Sequence, residues 1–281
     1  MQTKILLVHL DKITSHALYP IFLIYFSFTS VEISLLFKIA ICGGALMSLI
    51  FNDEIPEIYP NWIFAIGLGI SLTMNYFVVP NHYFIIFYVS LFLAFRSSGW
   101  LPTFNYPHLL LLIVFALATF QKVISPQFFD GEFIATLFLQ KHSLFWVNSY
   151  FFTDLQSYSE EFIRNYKQVI QSGPETKILP FHISESFRIY SLVHTYLIAI
   201  LELILVIILI FSSPKFRYIS LLIFIWTTLA FRPELTFFSI LCLTALMDPE
   251  MHNSQALRRC YVTSFLIFIC LGAVSVGVAF H

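Results

Sequence analysis

Long apolar segments separated by short polar stretches run along most of the chain. A hydrocarbon core about 30 Å thick is crossed by roughly 20 apolar residues of helix. The pattern therefore predicts an all-α, polytopic transmembrane bundle of about eight spans, several of which are short for a crossing. The predicted spans are Val31–Phe51, Asn61–Val79, His82–Arg96, Pro107–Phe120, Ile189–Phe211, Phe216–Phe231, Glu234–Met247 and Tyr261–Phe280.

Two segments leave the number of spans open. Ala17–Phe28 is either a further span or an amphipathic helix in the plane of the interface. Arg232-Pro233 interrupts the apolar stretch from Phe216 to Met247, and proline breaks or kinks a helix. We predict two short helices that meet at a hairpin. The alternative is one bent span, which would move the C-terminus to the other side of the membrane.

The long connection after the fourth span is the part that the pattern does not assign to lipid. Phe133–Val147 is apolar but short, which is typical of a re-entrant or interfacial helix. Leu155, Tyr158 and Phe162 recur at helical spacing with polar residues between them. We predict a cap of short helices, extramembrane or re-entrant, over about residues 128–188 of a single domain that comprises residues 1–281.

Composition supports the membrane prediction. The chain is 58% hydrophobic and 11% charged, with a mean hydropathy of +0.82, whereas about a quarter of the residues in soluble domains are charged. We predict a multi-pass integral membrane protein with the lipid bilayer as its first partner. The net charge of −1 gives no basic surface for nucleic acid, so no nucleic-acid partner is predicted.

Motifs for several common chemistries are missing from the sequence. The four cysteines lie in or beside apolar segments without Cys/His ligand spacing, which indicates core residues and no metal site. HExxH, P-loop, GxSxG and dinucleotide-binding motifs do not occur. Metal-dependent hydrolysis, ATP-driven work and NAD-dependent reactions therefore lack support.

The basic residues suggest an orientation. If all predicted spans cross the membrane, five basic residues fall on one side: Arg96, Lys215, Arg217, Arg258 and Arg259. Loops rich in Lys and Arg face the cytoplasm. We therefore predict that this side is cytoplasmic and that the segment after Lys122 faces outward.

Lys122 separates the fourth span from a less regular segment that contains Pro126, Asp130 and Gly131. In an apolar pocket, loss of hydration would favour the free amine, and Lys122 would then serve as a general base. The alternative is a lysine that anchors the helix end by reaching to the interface. The sequence leaves both interpretations open.

Glu202 and Lys38 lie deep inside predicted spans, where charged residues usually face the bundle interior or a water-filled pocket. No basic residue lies near Glu202 on its own helix, so an ionic partner has to come from another helix, and Lys38 and Lys122 are the candidates. We predict that Lys38 and Glu202 form a buried charge pair or the wall of a site. The alternatives are a hydrogen-bonded carboxyl that locks the bundle and a Lys38 that reaches to the interface.

Asn81 and His82 follow Pro80 at the start of a predicted span. Histidine can relay protons near neutral pH, which makes His82 a candidate catalytic helper and Asn81 a candidate polar residue of the same site. The plainer alternative is a helix start at which Asn81 caps the first turn and His82 lies in the interface.

Several stretches resemble, in order, the transmembrane region of the vitamin K-dependent gamma-carboxylase family, also called the horizontally transferred transmembrane (HTTM) family. Where the first stretch of the family usually has an arginine, this chain has Lys38. Together the stretches cover most of the chain from Val31 to Met247. They are Leu35–Leu49, Asn81–Phe95, Ala118–Ile134, Leu201–Ile210 and Phe237–Leu246.

This resemblance implies a reaction and roles for two residues. In the carboxylases, the lysine that matches Lys122 is taken as the base that starts oxygenation of reduced vitamin K, and the histidine that matches His82 assists it. The product of that step removes a γ-proton from a glutamate, and carbon dioxide adds to the carbanion. The resemblance therefore implies reduced vitamin K or another quinone as the cofactor.

Two features depart from the carboxylases. Gln121 precedes Lys122, where the carboxylases have a paired lysine. The sequence ends at His281, whereas the carboxylases continue into a large extramembrane region that helps to bind the protein substrate. Some small stand-alone members of the family are associated with the maturation of secreted bacterial peptide toxins. The resemblance thus implies a protein of the bacterial cell membrane that modifies or matures a secreted peptide client.

Two other function classes remain open at this point. In the first, the bundle is a non-catalytic scaffold or immunity-type partner, and its polar residues only fix helix packing. In the second, the chain is a transporter, a class that often has internal repeats and broken helices near the membrane midplane. The sequence contains one Arg-Pro break and no repeat, so a transporter has the least support.

Overall fold

The computed structural model describes residues 15–29, 35–50, 58–74, 82–99, 106–139, 149–172, 184–231 and 234–279, and their regular secondary structure is entirely helical. The predicted all-α fold is therefore confirmed. A 3-10 helix comprises Pro249–Asn253. The α-helices are α1 (Ser15–Thr29), α2 (Leu35–Ile50), α3 (Ile58–Met74), α4 (His82–Ser97), α5 (Tyr106–Ile124), α6 (Pro126–Phe129), α7 (Glu132–Leu139), α8 (Leu155–Ser172), α9 (Glu185–Phe211), α10 (Pro214–Phe231), α11 (Leu235–Leu246) and α12 (Gln255–Ala279).

Three helices within the described residues are long and apolar enough to cross a membrane: α5, α9 and residues Gln255–Val274 of α12. They correspond to the fourth, fifth and eighth predicted spans. The apolar segments of α1–α4 and α11 have 10–17 residues. A helix of 12 residues, such as α11, is only about 18 Å long, which is less than the hydrocarbon thickness of about 30 Å. The count of eight spans therefore stays a prediction.

The described residues group into two compact units, of which the first comprises residues 1–114, 213–222 and 235–281. The centre of this unit is α11, because every residue from Phe238 to Asp248 is buried. Helix α12 packs along α11, and α1 packs on α2, α11 and α12. Helix α1 is buried on several sides, through Leu18, Phe22 and Phe26 among others, and the choice between a further span and an in-plane helix stays open.

A hydrogen bond within this unit decides how the chain passes Arg232-Pro233. The hydroxyl of Tyr218, in the first turns of α10, donates to the carboxylate of Asp248, which follows α11. In one span, 30 residue steps would separate these two positions by about 45 Å. The start of α10 instead lies beside the end of α11, which supports the predicted hairpin and excludes the bent span.

The second unit comprises residues 115–212 and 223–234. The first half of α9 packs against α7 and α8 through a hydrophobic cluster of Ile134, Ala135, Phe138, Leu139, Leu155 and Phe187. The hydroxyl of Ser159 in α8 donates to the carbonyl of Leu139 at the end of α7, at 2.7 Å. The predicted amphipathic helix is confirmed, since α8 begins at Leu155 and turns Tyr158 and Phe162 toward this cluster.

Candidate functional site

Lys122 lies in the last turn of α5, immediately before the helix breaks. The N–H of Ser125 donates to the carbonyl of Lys122 at 3.2 Å, and Pro126 then starts α6 in a new direction. Proline has no N–H to continue the ladder of α5, so a break here follows from the sequence. A cation in the last turn is also favoured by the partial negative charge at a helix C-terminus.

Lys122 forms an ion pair with Glu202, which lies in the middle of α9. The ammonium Nζ donates to Glu202 Oε2 and lies 5.5 Å from the ring centroid of Phe128. The side chains of Lys122 and Glu202 are only 15% and 10% exposed. Glu202 therefore takes its partner from another helix, as expected, and of the two candidate lysines the partner is Lys122.

This pair behaves as one chemical unit. Each ion has given up most of its hydration, and a charge that has lost its partner in such surroundings is strongly unfavourable. In a medium of low polarity, the charged pair and the neutral pair of amine and carboxylic acid are closer in energy than they are in water. Nζ of Lys122 and Oε2 of Glu202 are in direct contact, without a water molecule between them.

The chain after Lys122 runs back along α9. The rings of Phe129 and Tyr196 are 5.3 Å apart. Gly131 has φ +82° and approaches the backbone of α9 so closely that a Cβ atom would lie 3.1 Å from the nitrogen of Leu192. This conformation and this contact both require glycine.

The other predicted site residues lie in other parts of the chain. Lys38 is half-buried in α2 and forms no ion pair with the residues that the structure describes. Glu202 pairs with Lys122, and a site wall or charge pair formed by Lys38 and Glu202 stays a prediction. His82 is the first residue of α4, as the helix-start alternative expects, and its side chain lies outside what the structure describes. Asn81 lies outside the described residues.

Sequence reasoning missed a buried polar cluster in the first unit. Asp248 is fully buried and accepts the Tyr218 hydroxyl on one oxygen and the N–H of Glu250, at 2.8 Å, on the other. The hydroxyl of Tyr261 donates to the carbonyl of Tyr218 at 2.7 Å. Arg217 approaches Glu250 at 3.8 Å. An Asp-Pro-Glu sequence after an apolar helix is a capping signal and would have identified Asp248.

Two recesses are lined by apolar side chains of the first unit. One, of about 760 Å³, lies between α3 and α4 and is lined by Trp62, Gly69, Phe87 and their neighbours. The other, of about 170 Å³, is lined by Tyr88, Tyr106, Met247 and their neighbours. In the described part of the chain, no three His, Cys, Asp or Glu residues come together as metal ligands would. The chain matches no family model, no curated protein and no solved structure.

Proposed function

We propose that the chain is a multi-pass integral membrane protein of the bacterial cell membrane, and that it modifies or matures a secreted peptide. The Lys122–Glu202 pair is its proton-handling centre. The observation that carries this proposal is that the pair joins two helices, α5 and α9, that are each long and apolar enough to span a membrane. Ionisable residues inside spanning helices are costly, and they usually mark functional sites.

The chemistry of the pair supports Lys122 as a base. Its ammonium has to lose a proton before the nitrogen can accept one from a client, and Glu202 is in direct contact to receive it. In apolar surroundings this transfer removes two opposite charges that are poorly hydrated there. The neutral amine of Lys122 then carries the lone pair that abstracts a proton.

The proposal includes membership of the gamma-carboxylase-like family. Its support is the order of the five resembling stretches, two of which contain Lys122 and Glu202. Lys122 is not among the residues that line the two apolar recesses, so their lining gives no support to a quinone beside the ion pair. The proton transfer described above therefore uses only residues of this chain.

A non-catalytic scaffold is the second candidate, and the same ion pair favours it. Two nearly buried opposite charges on different helices fix which faces of those helices meet, since any other arrangement leaves a charge unpaired. A scaffold or immunity-type partner would need the pair only for this purpose. In that case the chemical identity of the residue in α5 would not matter, provided that the charges remained opposite.

Exchanging the two charges separates these candidates. The double substitution Lys122→Glu with Glu202→Lys keeps an ion pair but moves the amine from α5 to α9. Intact-mass spectrometry is used to compare the secreted peptides in the medium of three cultures of source cells. One culture lacks the gene, and the other two are the same cells complemented with the wild-type or the exchanged protein. Membrane accumulation of each variant is measured in parallel.

We expect a peptide mass that requires the wild-type protein and that the exchanged protein does not restore, although it accumulates normally. Restoration of that mass by the exchanged protein would establish the scaffold role and remove the base. If the wild-type protein changes no secreted peptide, the proposed peptide modification is wrong.

A further inference from the structure

The exposed face of helix α9 indicates which part of the helix lies in the hydrocarbon. At its start, Glu185 and Arg188 are exposed, and beyond them every exposed side chain from Ile189 to Phe211 is apolar or tyrosine. This stripe covers 22 residue steps, or about 33 Å, which matches a hydrocarbon core of about 30 Å. Its midpoint is Ile200.

Glu202 lies two residues beyond this midpoint, which is a displacement of about 3 Å along the helix. Side chains of a helix lean toward its N-terminus, so the carboxylate lies even closer to the level of Ile200. The ammonium of Lys122 contacts that carboxylate and therefore shares its depth. Sequence reasoning had left open whether Lys122 lies in an apolar pocket or reaches to the membrane interface.

Residues 122–139 then pass along α9 toward its N-terminus. Lys122 meets Glu202, and Phe129 meets Tyr196. Further on, Gly131 meets Leu192, and Phe138 lies 5.7 Å from Tyr190 and 6.2 Å from Phe187 between ring centroids. Phe138 also lies 5.6 Å from His194 between ring centroids, so the α9 partners move from Glu202 to the range 187–194. The path covers the 15 steps from Glu202 to Phe187, or about 22 Å.

The second break in this path is packed against α9. The helical ladder is interrupted at Ser125 and again at Asp130–Gly131, where Gly131 rests on the backbone of Leu192. Non-helical backbone is tolerated at membrane depth only where it is buried in protein or lines a cavity. The close approach of Gly131 to α9 meets this condition.

We propose that residues 122–139 form a broken segment inside the membrane that runs antiparallel to α9, with the Lys122–Glu202 ion pair near the bilayer midplane. This inference depends on the membrane insertion proposed above. Phe128–Leu139, which the sequence predicted as part of the cap, then lies in the hydrocarbon. A client of Lys122 then has to present its reacting group about 15 Å below the membrane surface, half the hydrocarbon thickness.

Depth measurements with nitroxide labels test this placement. The background is a variant in which all four native cysteines are alanine, and each labelled protein carries one new cysteine at an exposed position. Ile189, Ile200 and Phe211 of α9 provide the depth scale, and Val123 of α5 is the position tested. In lipid nanodiscs, power saturation with oxygen and with a water-soluble nickel chelate reports the depth of each label. Ile124 provides a second test position if the Val123 variant does not accumulate.

We expect the label at Val123 to lie within about 5 Å of the depth at Ile200, and Ile189 and Phe211 to lie near the two surfaces. A label at Val123 as shallow as that at Ile189 would overturn the midplane placement while leaving membrane insertion intact. If Ile200 is accessible to the nickel chelate, α9 does not span, and the proposed membrane protein itself is wrong.

Discussion

The ammonium of Lys122 donates to the carboxylate of Glu202, which follows it in the sequence by 80 residues. The contact joins the last turn of α5 to the middle of α9, and both side chains are largely removed from solvent. Because each charge depends on the other, the two residues have to be considered as one feature in both stability and chemistry. The break that follows Lys122 in the chain is part of the same arrangement.

At the helix break after Lys122, Gly131 is the position where a side chain is least tolerated. Alanine there would adopt a positive φ and would place its Cβ 3.1 Å from the nitrogen of Leu192. We expect Gly131→Ala to lower the free energy of unfolding by about 2–4 kcal/mol, from backbone strain and steric overlap together. The measurement is reversible unfolding of the purified protein in mixed lipid–detergent micelles.

Gly99 provides the matched control for this substitution. It also has a positive φ, +71°, but no atom lies within 4 Å of the position of a Cβ. Gly99→Ala therefore reports the strain alone, which we expect to cost about 1 kcal/mol. Equal effects of the two substitutions would show that the close approach of Gly131 to α9 contributes nothing.

The Tyr218–Asp248 hydrogen bond should hold the start of α10 to the end of α11. Both residues are buried, and the acceptor is a carboxylate that also caps the 3-10 helix. A double-mutant cycle with Tyr218→Phe and Asp248→Ala should give a coupling free energy of about 1–3 kcal/mol. Tyr88→Phe, at an exposed tyrosine, should change stability by less than about 0.5 kcal/mol. Additive effects at Tyr218 and Asp248 would argue against the hairpin contact.

Cys260 allows the orientation to be measured with the native chain. It is exposed and follows Arg258 and Arg259 at the start of α12, close to the Tyr261–Tyr218 contact. Because basic residues mark the cytoplasmic side, we expect a membrane-impermeant maleimide to label Cys260 only after cells are permeabilised. Cys260→Ala should remove this labelling, since the other exposed cysteine, Cys270, lies ten residues further into the apolar helix. Labelling of intact cells would reverse the predicted orientation.

The sequence was sufficient for the helices and for part of the site. The apolar segments predict the positions of α5, α9 and α12 because a helix in lipid needs an almost continuous run of apolar residues. The lack of a basic neighbour on α9 also showed that Glu202 needs a partner from another helix. These inferences depend on local sequence, which is why they could be made without coordinates.

Contacts between distant segments could not be predicted in the same way. Lys38 and Lys122 were equally acceptable partners for Glu202, because sequence spacing does not show which helix faces Glu202. The segment after Lys122 was predicted as a cap, since Pro126 and Gly131 are ordinary loop signals. Only the packing of Phe129 and Phe138 against α9 shows that the chain continues along α9 after these breaks.

The coupling between Lys122 and Glu202 tests the central claim most directly. Unfolding in lipid bicelles is measured for the wild-type protein, Lys122→Met, Glu202→Gln and the double variant, with Lys215→Met as the control at an exposed lysine. We predict a loss of roughly 3–5 kcal/mol for each single substitution, because the remaining charge is left buried without its partner. The double variant should lose little more than either single one, so the coupling free energy should be close to the size of one single loss, roughly 3–5 kcal/mol. Small, additive losses similar to that of Lys215→Met would show that the two residues do not act as a pair.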